Sequence, residues 1–154
     1  MRRITPLLLG LSACAAHFQP PGPSAPMPNP GAVVATVFLI GDAGAPRRGG
    51  EPVLQALTRE LAHRPDSTVV LFLGDNIYPH GLPDSADASW PEARRRLLDQ
   101  LAISRLVPVL FVPGNHDWNK SAPGGLERIR AQGRMIAAEG GGRARLLPAE
   151  GCPG

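Results

Sequence analysis

The segment "STVVLFLGDNIY", residues 67–78, runs through an unbroken apolar stretch and then stops at Gly74, Asp75 and Asn76, with Tyr78 three positions past the aspartate. A strand that merely ends can use any polar turn, so the question is whether the pattern repeats. It does, on both sides. "AVVATVFLI" (32–40) leads into "GDAG" (41–44), and "LVPVLFV" (106–112) leads into "GNHDW" (114–118). All three runs are continuous rather than alternating, which suits parallel strands covered on both faces.

Between them lie segments with a different period. In "EPVLQALTRELAHR" (51–64), Val53, Leu54, Leu57 and Leu61 share one helical face, and Pro52 occupies a tolerated first-turn position. "WPEARRRLLDQLAI" (90–103) repeats the helical spacing, and "LERIRAQGRMIAA" (126–138) predicts a third helix. The order strand–helix–strand–helix–strand–helix, with right-handed crossovers, is an α/β fold built on a parallel sheet. The closing "RARLLPAEGCPG" carries no strand signal.

Sheets of this kind bind ligands beyond the carboxyl ends of their strands. Each run here delivers a glycine and an oxygen-bearing side chain to that edge: Asp42, Asp75 and Asn115. Glycine gives the backbone a sharp exit and allows close approach. Carboxylates and an amide carbonyl are hard oxygen donors, so their convergence points to a cation site. A phosphate loop is excluded, because "GDAGAPRRGG" does not space its glycines as G-x-G-x-x-G and no G-x-x-x-x-G-K-[ST] occurs.

The 154 residues suit one domain, and 43% hydrophobic against 19% charged residues excludes a disordered chain. The net charge of +3 comes without any basic run interleaved with aromatics, so nucleic-acid binding is not expected. "MRRITPLLLGLSAC" (1–14) looks like a bacterial lipoprotein signal: an arginine pair, a short apolar stretch, and small residues before Cys14. On that reading residues 1–13 are removed, Cys14 is lipidated, and 14–32 form a proline-rich tether. The domain, 33–154, is then exported and anchored to the membrane on the periplasmic or outer cell-surface side. Cys152 has no partner and implies no disulfide framework.

Taken in order, "GDAG", "GDNIY" and "GNHDW" resemble the first three metal motifs of the calcineurin-like metallophosphoesterases, and Tyr78 resembles the tyrosine that marks their purple acid phosphatase branch. The resemblance covers about residues 34–120 and implies the parallel βαβαβ half of a metallophosphoesterase β-sandwich, flanked by helices. It implies two metal ions: Asp42 and Tyr78 on the first, Asp75 bridging, Asn115 on the second, and His116 beside the substrate. It also implies a phosphate-ester substrate, attacked at phosphorus by a metal-activated hydroxide, the ions lying roughly 3.5–4 Å apart. A tyrosine ligand binds as phenolate although its free pKa is about 10, which favours Fe(III) on the first site and leaves Zn(II), Mn(II) or Fe(II) for the second. His63 and His80 match no motif position and are expected on the surface. Asp117 has a family counterpart without a ligand role, and Trp118 is expected to pack at the site rim.

The family pattern continues with a lone histidine and a Gly-His-x-His motif, whereas the four histidines here are His17, His63, His80 and His116. The expectation is therefore an N-terminal portion of the fold. Its sheet would lack the second sheet that packs on it in the family, and the 154 residues alone would be inactive. The alternative is a non-catalytic lipoprotein that keeps a phosphoesterase-like fold for binding.

Overall fold

A computed structural model describes Pro26 and residues 29–46, 50–63 and 66–149. The chain divides into two compact units, Met1–Ala32 and Val33–Gly154. In the first, the only described element is a 3-10 turn, Pro30–Ala32. The expected signal, Cys14 and most of the tether lie outside the described residues, as does Cys152. Among the described residues no helix is long and apolar enough to cross a membrane.

The second unit is a four-stranded parallel sheet in chain order: β1 (Thr36–Ile40), β2 (Thr68–Phe72), β3 (Val109–Phe111) and β4 (Ala144–Leu146). Helices α1 (Pro52–Leu61), α2 (Trp90–Leu101) and α3 (Gly125–Glu139) make the three crossovers. Each helix forms where the apolar period predicts one. In α1, Leu54, Leu57 and Leu61 are buried, and the Glu51 carboxylate caps the start by accepting from the Val53 amide at 3.2 Å. α2 buries Ala93, Leu97, Gln100 and Leu101, and α3 buries Ile129, Gln132 and Ile136.

The register sorts the strand residues into two faces. Phe38, Val70, Val109 and Ala144 lie abreast, as do Ile40, Phe72, Phe111 and Leu146. These two rows join residues of all three helices in one core cluster, in which the Phe72 and Phe111 rings stack 4.7 Å apart. The row between them, Leu39, Leu71, Leu110 and Arg145, belongs to the opposite face and to no part of that cluster. There Val37 and Leu39 are 56% and 59% exposed.

Among the described residues, coverage on both faces, the expectation from the continuous apolar runs, is thus not met. When each strand is added on the same side of the last, right-handed crossovers deliver every helix to one face. Two boundaries also differ. β3 begins at Val109, because Pro108 has no amide to donate and serves only as acceptor for the Val70 N–H at 3.1 Å. And β4 exists although the sequence suggested no strand: α3 ends at Glu139 with Gly140 as its cap, Gly141 and Gly142 turn with φ of 59° and 74°, and the chain re-enters the sheet at once.

Candidate metal centre

The three loops that leave β1, β2 and β3 lie backbone against backbone. The Asp42 amide donates to Gly74 O at 3.2 Å, the Gly44 amide to Asp75 O at 3.0 Å, and the Tyr78 amide to Gly44 O at 3.1 Å. A side chain on Gly44 would run into the Asn76 backbone, and one on Gly114 would run into the Asp75 carboxylate. Gly74, at φ +112°, leaves 2.7 Å between a built Cβ and Gly114 Cα. The glycines of the motifs are therefore required by close approach, and they press the three polar side chains together.

Asp42 and Asp75 sit in the left-handed region, with φ of 58° and 54°. Such positions cost a non-glycine residue about 1–3 kcal/mol and persist only where the surroundings hold them. Here the turn aims both carboxylates at one phenol. The Tyr78 hydroxyl donates to Asp42 Oδ1 at 2.6 Å and lies 3.0 Å from Asp75 Oδ2. Turned to hydrogen-bond, the Asn115 amide nitrogen donates to Asp75 Oδ1 and Oδ2 at 3.2 and 3.3 Å. The His116 main-chain amide donates to Asp75 Oδ1 at 3.0 Å. All five predicted residues of the three motifs, Asp42, Asp75, Tyr78, Asn115 and His116, thus meet around Asp75 and Tyr78.

The His116 ring packs on Tyr78, centroids 4.0 Å apart. Its Nδ1 lies 2.8 Å from Pro79 O, an atom that can only accept. Nδ1 therefore carries the proton, and Nε2 is left as an acceptor in the neutral ring or a donor in the charged one. His63 and His80 are exposed, as the sequence suggested, and Trp118 is half-buried against the core.

Asp117 does more than its lack of a ligand role implies. It is fully buried, and its Oδ2 accepts from the Gly114 amide at 2.8 Å and the Asn76 amide at 3.0 Å, its Oδ1 from the Ile77 amide at 3.0 Å. One carboxylate thereby pins the second and third loops to each other. Asn76, also fully buried, donates through Nδ2 to Val112 O at 2.9 Å and to Asp117 at 3.1 Å. The signal in the sequence was a pair of polar residues inside motifs otherwise read for their ligands.

The donor set is two carboxylates, a phenol and an amide, oxygen throughout, which suits a hard cation. Among the described residues neither Asp42 nor Asp75 enters a salt bridge, so the one proton of Tyr78 is shared between two negative groups. That arrangement fits one cation. A second would find only Asp75 and Asn115, and among the described residues no group of three or more His, Cys, Asp or Glu side chains converges.

Residues 35–147, well over half of the chain, match the family described as calcineurin-like phosphoesterase. Comparison with the curated proteins and with the solved structures finds no match.

Proposed function

The chain belongs to the calcineurin-like phosphoesterase family, and from that premise we propose that its three loops form the metal-binding half of a phosphoester hydrolase site of the purple acid phosphatase type. The carrying observation is the single tyrosine of the chain, Tyr78, seated between Asp42 and Asp75 with its hydroxyl within hydrogen-bond distance of both. Asp42 and Tyr78 would hold a first cation, Asp75 would bridge, and Asn115 would serve a second. Bound cations supply Lewis acidity and lower the pKa of water for attack on phosphorus. Tyr78 would tip the first position toward Fe(III), whereas a divalent ion at the second, Zn(II), Mn(II) or Fe(II), would find only Asp75 and Asn115 among the described residues. His116, its Nδ1 proton held by Pro79 O, would offer Nε2 to a bound substrate, to stabilise the phosphoryl group or return a proton to the leaving oxygen.

Iron loading tests this directly. The Fe(III)-loaded protein is expected to show a visible phenolate absorption that vanishes in Tyr78→Phe, and Asp75→Asn is expected to lose binding altogether. A wild-type chain that takes up neither Fe(III), Zn(II) nor Mn(II) overturns the proposal.

A second reading, a binding module without turnover, is favoured by the two-ligand second position. On either reading the 154 residues alone are expected to hydrolyse p-nitrophenyl phosphate negligibly. A reading frame that continues past codon 154 into Gly-His-x-His separates them in favour of the enzyme. We further propose export and lipidation at Cys14. Finding no palmitate incorporation that depends on Cys14 would overturn that part alone.

A further inference from the structure

Outside the motifs, one helix reaches the site from behind. On α2, Arg96 donates through one terminal nitrogen to Gly44 O at 3.2 Å and to Tyr78 O at 2.8 Å. Its Nε is anchored to Glu92 Oε1 at 3.0 Å, and its side chain is only 21% exposed. One turn further on, Gln100 is fully buried and donates to Asn76 O at 2.7 Å. Two side chains at i and i+4 on one helix thus take three loop carbonyls, at positions 44, 76 and 78.

Gly44 O is the same atom that accepts the Tyr78 amide. The guanidinium therefore sits at the seam where the first loop meets the second. Asp42 is two residues from one of its acceptors, and Tyr78 supplies the other. A lysine ammonium reaches such a seam as a point charge, whereas the guanidinium offers a planar set of donors with fixed directions.

We propose that Arg96 is a positioning residue that sets the separation of Asp42 and Tyr78, and with it the affinity and geometry of the first cation. The proposal rests on the reading of the loops as a cation site. Arg96 does not touch the cation or the substrate in this role. The site nitrogens it uses are engaged with main-chain carbonyls, and it acts through the loops. Partners of this outer kind typically carry about 10- to 100-fold in metal affinity. The Glu92 carboxylate also accepts from Arg95, at 2.7 and 2.9 Å, so Arg96 is steered by a group that is itself held in place.

The test compares wild type, Arg96→Met and Arg96→Lys by two measurements. The first is amide hydrogen exchange without added metal. Gly44 and Tyr78 are expected to exchange about 10-fold faster in Arg96→Met, while Val70 in the core stays at its wild-type rate. The second is Fe(III) titration read by the phenolate absorption, where Arg96→Met is expected to weaken binding about 10-fold and to shift the band, and Arg96→Lys to recover part of both. Wild-type exchange at Gly44 and Tyr78, or wild-type affinity and band in a folded Arg96→Met, overturns the proposal. Should Arg96→Met fail to fold, Arg96→Lys is read by the same criteria. If the wild type binds no cation, the cation site itself fails, and the positioning claim built on it is overturned with it; unchanged affinity in the variant beside a binding wild type sinks the positioning claim alone.

Discussion

Hydrogen bonding to Asp42, burial, and the nearby Asp75 together hold the Tyr78 phenol above its ordinary pKa. Any cation that takes the phenolate must displace that proton, so binding releases protons and tightens as pH rises. Calorimetry in buffers of different ionisation enthalpy is expected to show about one proton fewer released by Tyr78→Phe. Asp117 gives a second pH signature. Burial lifts its carboxyl to about 6, against the pull of the Gly114, Asn76 and Ile77 amides. A raised folded pKa means that its contribution is complete below the unfolded value near 3.8 and is lost as pH rises through about 6. The advantage of wild type over Asp117→Asn in urea unfolding should therefore shrink by about 2 kcal/mol between about pH 4 and about pH 7. The candidate ligands were legible because each follows an apolar run and a glycine. The roles of Asp117, Arg96 and Gln100 were not, since the partners that tie them to the first and second loops lie 18 to 52 residues away and follow no period.

Elements reward the period and hide what lacks one. α1, α2 and α3 each repeat an apolar face over two turns or more, so their places were clear. β4 has three residues, buried–exposed–buried, with Arg145 in the middle, which is too short to carry a pattern. Its pairing is set by tertiary geometry instead: the Val109 amide donates to Arg143 O and the Leu147 amide to Phe111 O, both at 2.8 Å. Within the core, Phe111→Ala removes one ring of the β2–β3 stack and should cost about 3–5 kcal/mol in chemical denaturation. Gln132 points the other way. Among the described residues, both its side-chain polar atoms are buried without a hydrogen-bond partner. Gln132→Met, close in volume, should raise stability by about 1–2 kcal/mol, and a loss of stability would show that the amide has a use.

For the molecule as a whole, the strand order has a one-sided result. All three helices pack on one face, while Val37, Leu39 and Leu73 on or beside the other are 56%, 59% and 50% exposed. The resemblance implied such a bare face, where the family packs a second sheet, and a patch of this kind favours association. Val37→Thr with Leu39→Thr keeps strand propensity and removes apolar surface, so light scattering should show weaker concentration-dependent association. No change in scattering would place the contact elsewhere. That the runs were apolar throughout, and hence read as covered on both faces, reflects what a residue prefers to touch. It says nothing of which element arrives to touch it.

The in-sequence strand order also bears on how the protein is made. Each strand pairs with the one before it, so a polypeptide emerging from the ribosome finds its docking partner already synthesised and never waits for a later segment. The three oxygen-bearing loops are complete once Asn115 has cleared the exit tunnel, before α3 and β4 have emerged to close the sheet. A nascent chain stalled shortly after that point should already protect its β1–β2 amides, and the cation pocket would be assembled during translation rather than after it.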